Sequence, residues 1–382
     1  MIFVASDLTG PTISINLPLS SGTLDYLLFK KEVVGKKGGV TLVPIREDTK
    51  YDVAKAKEAY ARAKAAGMIA WTGGMSGLAE GLLADYERDH IPYISSSSGL
   101  YAAWSEWHFS AAHPGLPQLT ATWMLGMVNQ AEKEGRPKPT KFGWSGGDAP
   151  YTPFFGMGIE PFLEEHGFTL TQELLPIGST DASPTVARLK EAGVEEVFFS
   201  CPAREGVVFL KAWTQAGMDP GKVTFAICNP STDVAAIGGW DLVEGAKFAH
   251  YWVPLNISPD AKEMPVPPGH KLVRELWEIN YSGQPIKDLY LYGMVAGMVF
   301  EEAVKLALDE VTPDELTGDT LREHGLWRMK EFDPMGMTYP ITYGPGRNPG
   351  PNHFFYGKVV GENIVPVTDW IEATGFPPPP KK

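Results

Sequence analysis

The stretch Gly143-Trp144-Ser145-Gly146-Gly147 fits the G-x-S-x-G pattern of a nucleophile elbow, which places a serine on a tight strand-to-helix turn. An elbow needs its helix to begin directly after the serine, so that the first amides form an oxyanion hole. Here Asp148-Ala149-Pro150-Tyr151-Thr152-Pro153 intervenes, which delays the helix and withdraws those amides. The stretch also lacks the glycine order of a dinucleotide fingerprint and the lysine of a phosphate loop. The eight histidines show no metal-ligand spacing: His108 and His113 are five apart, and neither H-E-x-x-H nor C-x-x-C occurs. No catalytic residue, metal or cofactor is therefore expected.

Hydroxyls and small residues at strand ends suggest binding instead. Ser76 falls where the turn Thr72-Gly73-Gly74-Met75 becomes a helix, and Ser95 to Gly99 forms a polar edge on the next strand. Amides at a helix start, together with hydroxyls, can hold a carboxylate without a full positive charge. A serine in that position is equally suited to capping its own helix, and both roles stay open. Tyr151, Tyr251, Trp252, Tyr290 and Tyr292 stand near predicted strand ends or helix starts. Each can close over an apolar ligand body or fill a core.

The elements that must position these residues form a pattern that occurs twice. An apolar strand, Gly67 to Trp71, runs through the Thr72–Gly77 turn into a helix ending near Asp89, and then into Ile91-Pro92-Tyr93-Ile94 and Ser95-Ser96-Ser97-Ser98-Gly99. The second copy runs from Val194–Phe199 through Ser200-Cys201-Pro202-Ala203 and a helix to about Ala216, then Val223–Ile227 and Cys228-Asn229-Pro230-Ser231. Further strands are predicted at Ile2–Ala5, Val40–Arg46 and Lys141–Trp144, and helices at Leu24–Val34, Val53–Ala66 and Leu289–Asp309. This alternation predicts an α/β protein with two doubly wound parallel-sheet lobes. Ligands collect outside the carboxyl ends of such strands, so two such edges suggest lobes facing each other across a cleft. The Pro/Gly breaks place lobe 1 at residues 1–117 and 254–326, and lobe 2 at 118–253 and 327–382, joined by a hinge of several crossings.

Bulk properties narrow the partners. A chain of 382 residues exceeds what one core usually organises. Its formal net charge of -13 argues against nucleic acid, because phosphate binding needs a basic surface. The longest apolar stretch, Leu289 to Phe300, contains Gly293 and Gly297 and stops at Glu301-Glu302, too short to span a bilayer. The first residues, Met1 to Asp7, enter a strand at once without the pattern of a signal peptide, so either the protein is cytoplasmic or a leader has been removed. The two cysteines, Cys201 and Cys228, each end a predicted strand of the second copy; if those strands are neighbours a disulfide is within reach, and a pair of buried thiols is equally compatible.

Taken in order, Asp7-Leu8-Thr9-Gly10-Pro11, the segment Gly22 to Gly39, Ile91-Pro92-Tyr93-Ile94-Ser95 and the helix Tyr290 to Leu308 resemble the solute-binding proteins of branched-chain amino acid ABC transporters. That family, the leucine/isoleucine/valine-binding type, has a type I periplasmic binding fold. The segment Val33-Val34-Gly35-Lys36-Lys37 departs from its pattern. The resemblance implies a receptor without enzymatic activity or cofactor, whose partners are a small-molecule solute and a membrane permease. It further implies a periplasmic or membrane-associated extracellular location, with the leader absent from this chain. It places the ligand carboxylate at Ser76 and at Ser97, Ser98 and Gly99, and a closing tyrosine at Tyr151; Tyr251 joins these as a candidate from its place after a strand.

The family's acidic partner for a ligand ammonium falls on Asn229, with Glu205 or Asp233 as substitutes if the register differs. An ammonium buried without a carboxylate is costly. The expected ligand is therefore a small acid or amide, aromatic ones included, in preference to a simple branched-chain amino acid. A cytoplasmic ligand-sensing regulator of the same fold remains the alternative, and a serine hydrolase built on Ser145 is the least supported.

Overall fold

The computed structural model describes residues 1–73, 76–95, 101–111, 115–149, 151–226, 230–262, 264–346 and 353–373. The chain divides into two compact units, Met1–Gly115 with Pro267–Asn352, and Leu116–Val266 with His353–Lys382, so it passes from one unit to the other three times.

In the first unit the strands are β1 (Ile2–Ser6), β2 (Glu32–Gly35), β3 (Gly38–Thr41), β4 (Pro44–Asp48), β5 (Ala70–Gly73), β6 (Tyr93–Ser95) and β7 (His108–Ser110). Five of them form one parallel sheet in the order β4-β1-β5-β6-β7, while β2 and β3 pair as a separate hairpin. β1 reads Ile-Phe-Val-Ala-Ser and is buried throughout, as expected of a central parallel strand covered on both faces. The single strand predicted over Val40–Arg46 is in fact two. Its first half pairs back on β2, and the chain then turns at Leu42–Val43 so that Pro44 can align with Ile2.

The helix predicted at Leu24–Val34 runs instead from Ile13 to Phe29 and gives way to β2. Its early turns carry Pro18, Ser20, Ser21 and Gly22, which hide a helix from a propensity reading. Packing against the helix Asp288–Glu310 explains Gly22, while Ser20 and Ser21 pair with Ser6 and Arg46. A Cβ on Gly22 would collide with the Tyr290 carbonyl, and one on Gly293 with the Leu19 carbonyl. Thr23 Oγ1 also donates to Gly293 O at 2.8 Å. Small residues at this crossing let the two backbones approach. The helix Val53–Ala65 follows the ordinary rules: the Asp52 side chain caps it by accepting from Lys55 N at 2.8 Å, and Ala56, Ala59, Tyr60 and Ala63 form its buried stripe.

The second unit contains β8 (Lys141–Gly146), β9 (Thr169–Leu174), β10 (Glu196–Ser200), β11 (Val223–Phe225), β12 (Lys247–His250), β13 (His353–Val360), β14 (Asn363–Pro366) and β15 (Ile371–Glu372). The sheet order is β14-β13-β12-β11-β10-β8-β9, with β15 beside β13. β8 to β12 run parallel, and β13 closes against β12 antiparallel. Residues 254–266 belong to this unit, where Ile257 bridges to Ile364, whereas Tyr343 donates its hydroxyl to Ser110 O at 2.7 Å within the first unit.

Both sheets carry their first five parallel strands in the spatial order second, first, third, fourth, fifth. The strands repeated in the sequence, β5–β6 and β10–β11, are the third and fourth of each sheet. The strand order therefore reverses between β1 and β5 in one unit and between β8 and β10 in the other, and such switch points open a crevice at the carboxyl edge.

Candidate functional site

At the carboxyl edge of the first sheet, the loop after β1 is built around Asp7. Its buried carboxylate accepts from Gly10 N, from Thr12 N at 2.7 Å and from Thr12 Oγ1 at 2.7 Å. Asp48, at the end of β4, accepts from Leu8 N at 2.9 Å, Thr9 Oγ1 at 2.6 Å and Lys50 N at 3.0 Å. Those bonds, with the loop donors beside it, hold the Asp48 carboxyl below its usual range despite the opposing effect of desolvation. Gly10 is needed here, because a Cβ would lie 2.5 Å from Asp7 Oδ1 and 2.7 Å from the Lys50 carbonyl oxygen.

The Lys50 carbonyl opens a turn in which Lys50 and Tyr51 both adopt left-handed backbone, at φ 51° and 54°. Two consecutive non-glycine residues in that region store strain. The outcome is a buried Tyr51 whose hydroxyl accepts from Gly77 N at 3.3 Å, at the start of the helix Ser76–Gly81. Burial raises the Tyr51 phenol well above its ordinary pKa, with the Asp7 charge adding to the shift and the Gly77 bond opposing it. Tyr51 therefore stays neutral. Sequence reasoning missed it, since Thr49-Lys50-Tyr51-Asp52 contains no glycine or asparagine to announce a left-handed turn.

Ser76 is buried and begins a helix of six residues. Of the amides at that start, Gly77 N is already engaged by Tyr51, so the hydroxyl and the remaining backbone carry whatever binding capacity Ser76 has. Ser95 ends β6 and is fully buried, within 2.6 Å of His108 Nε2. Ser97, Ser98 and Gly99 lie outside the described residues, as does Asn229.

At the carboxyl edge of the second sheet, Tyr151 is buried beside Phe155 and donates to Ser200 O at 3.2 Å. It thereby ties the segment after β8 to the end of β10, across that sheet's switch point. Tyr251, directly after β12, is fully buried with its ring 5.6 Å from Phe354. Of the two substitute acids, Glu205 is buried at the head of the helix Ala203–Gln215 and accepts from Gly178 N at 2.9 Å, and Asp233 sits in the first turn of the helix Ser231–Gly238.

Ser145 lies within β8, paired with Phe199 and Glu173, and is fully buried. A side chain inside a strand has no elbow geometry. The Cys201 Sγ is 3.6 Å from Leu175 O, and its pairing with Cys228 falls outside the described residues. Among the described residues no His, Cys, Asp and Glu side chains gather into a metal site, and no helix is long and apolar enough to cross a membrane.

A family model described as periplasmic binding protein matches residues 3–360. The chain belongs to the periplasmic binding protein family. The match spans both units and every strand of the two main sheets except β14 and β15. It makes this a binding protein and not an enzyme.

Solved structures agree on the fold. A branched-chain amino acid ABC transporter protein from Thermus thermophilus with bound valine superposes with a TM-score of 0.81 at 18% identity, covering 97% of this chain and 95% of that one. A substrate-binding ABC transporter protein from Aeropyrum pernix gives 0.82 at 18% identity, covering 98% and 95%. A fatty acid ABC transporter substrate-binding protein from Thermomonospora curvata gives 0.78 at 17% identity, covering 97% and 92%. No curated protein matches the sequence. The family and the two-lobed α/β fold expected from the sequence motifs are thus established.

Proposed function

We propose that the chain is an extracytoplasmic solute receptor that captures a small organic acid, amide or amino acid and delivers it to an ABC permease. The observation that carries this reading is the repeated strand order, with buried polar groups at the carboxyl edge of each sheet: Asp7, Tyr51, Ser76 and Ser95 in one, Tyr151 and Ser200 in the other. Structural neighbours named for valine and for fatty acid share this fold, so ligand class follows from the lining residues and not from topology. Ser76, Ser97, Ser98 and Gly99 are proposed to hold the ligand's oxygen end, with Tyr151 and Tyr251 supplying aromatic surface and Asn229 a neutral amide. An amide can accept one hydrogen bond from an ammonium but cannot neutralise it, which favours an acid or amide ligand, aromatic ones included.

A thermal-shift screen of benzoate, phenylacetate and their amides against leucine, isoleucine and valine tests this reading. Stabilisation that rises with the concentration of an acid or amide supports it. Stabilisation by the amino acids alone would overturn the ligand class, and no shift with any of them would overturn the small-carboxylate reading. The Ser76→Ala variant is expected to lose about 1–2 kcal/mol of binding free energy by calorimetry, the range for a hydrogen bond to a charged group.

A further inference from the structure

We propose that Tyr51 is a ligand-binding residue whose hydroxyl donates a hydrogen bond to an oxygen of the solute, at the β1/β5 switch point of the first sheet. The assignment rests on the receptor reading above and adds to it a group that neither composition nor motif signals.

Three observations converge on this side chain. The first is strain: Lys50 and Tyr51 are consecutive left-handed residues, and such backbone persists only where its surroundings over-determine it. They do so here. Thr49 N and Thr49 Oγ1 both donate to Ser6 O, at 2.7 and 3.0 Å, Asp48 accepts from Lys50 N, and Asp52 N closes on Thr49 O at 2.9 Å. The result is to turn the ring at position 51 inward, where it is 5% exposed.

The second observation is position. The hydroxyl meets Gly77 N, the second residue of the helix that follows β5, and it feels the charge of Asp7, which follows β1. These two strands flank the point where the strand order reverses. The Asp7 carboxylate does not take the phenol's proton; the bonds it makes are with Gly10 and Thr12 of its own loop.

The third is valence. A phenol offers one donor and accepts in addition. The Gly77 amide uses the accepting side, and no described residue accepts the Tyr51 O–H. Burial keeps the proton on the oxygen, and a buried donor without an acceptor costs about 1–3 kcal/mol. A carboxylate or carboxamide oxygen of the solute supplies that acceptor. With its accepting side met by Gly77 N and its donor left over, the phenol suits an oxygen acceptor, so Tyr51 belongs with Ser76 at the oxygen end of the ligand.

The test compares wild type with Tyr51→Phe by calorimetry, using benzoate, phenylacetate and leucine, each beside its methyl ester. A donor to the carboxylate predicts that Tyr51→Phe weakens the bound acid by about tenfold and its ester by less than about twofold, following the greater strength of a hydrogen bond to a charged acceptor. Unchanged acid affinity overturns the assignment, and so does an equal loss for acid and ester, which would mark a residue that only supports the helix start. Site-specific 3-fluorotyrosine at position 51 covers the case in which Tyr51→Phe does not fold: the more acidic phenol is a better donor and a poorer acceptor. Tighter acid binding supports donation to the ligand, while weaker or unchanged binding overturns it. If the wild type binds none of the three acids, the small-carboxylate reading fails and this assignment with it; acid binding that ignores position 51 sinks the assignment alone.

Discussion

His108 Nε2 lies 2.6 Å from Ser95 Oγ, while Nδ1 of the same ring lies 2.7 Å from the Ala102 carbonyl. A carbonyl only accepts, so Nδ1 carries a proton and donates it to Ala102 O, which leaves Nε2 to pair with the Ser95 hydroxyl. The ring stacks 5.1 Å from Tyr93, which stacks 3.7 Å from Trp71 and donates its own hydroxyl to Gly73 O at 2.6 Å. One ladder of rings thus runs across β5, β6 and the start of β7.

Replacing His108 with Phe keeps the stack and removes both bonds. The Ala102 carbonyl retains the Ser105 amide at 3.0 Å, so the loss falls chiefly on the buried Ser95 hydroxyl. His108→Phe should lower unfolding free energy by about 1–3 kcal/mol in urea titrations, the cost of an unsatisfied buried hydroxyl. Unaltered stability would show that the ring serves packing alone.

Glu196 at the start of β10 is fully buried and accepts from Lys222 Nζ at 2.9 Å and Lys247 Nζ at 3.0 Å. Burial pulls the Lys247 pKa down, opposed by the Glu196 charge. Removing the carboxylate strands a buried ammonium, and Glu196→Gln should cost about 3–5 kcal/mol. The double variant Glu196→Leu with Lys247→Met should recover most of that loss, because the cost lies in an uncompensated charge. A double variant no more stable than the single one would refute this account.

His250 in β12 is completely enclosed, its ring 5.1 Å from that of Phe355, and burial pulls its pKa down to about 3. The unfolded histidine binds a proton below about pH 6.5, whereas the folded one resists until about pH 3. The folded-state pKa is depressed, so the unfolded chain binds more protons within that window. The contribution to stability is complete above the window and is lost as pH falls through it, by about 1.4 kcal/mol per pH unit. Unfolding free energy measured from pH 6 down to pH 4 should therefore fall less steeply in His250→Phe than in wild type, by one proton's worth of slope. Parallel slopes would mean that His250 titrates normally.

Much of the fold was legible because its signals are local. The apolar runs of β1 and β10, the capped and striped helix Val53–Ala65, and the strand–turn–helix unit repeated at β5 and β10 each lie within a short window of sequence. Ser145 could be set aside as a nucleophile from the six residues, Asp148 to Pro153, that follow its motif. The family motif Asp7 to Pro11 could be recognised as text, although the reason for its glycine, the approach of the Lys50 carbonyl, could not.

The sequence alone determined the alternation of elements, the repeated unit and the family, since hydrophobic period and turn residues act over a few neighbours. Tertiary structure decided the rest. The helix from Ile13 reads as weak until Gly22 and Thr23 meet the backbone around Gly293, 270 residues along the chain from Thr23. Segment 254–266 joins the second unit through Ile257 and Ile364, a pairing no window contains. Tyr51 becomes a candidate binding group only because bonds from Ser6, Asp48 and Asp52 hold two residues in left-handed backbone and turn one ring toward Gly77. Strain of that kind is offset by groups distant in sequence, so no reading of neighbours along the chain can find it.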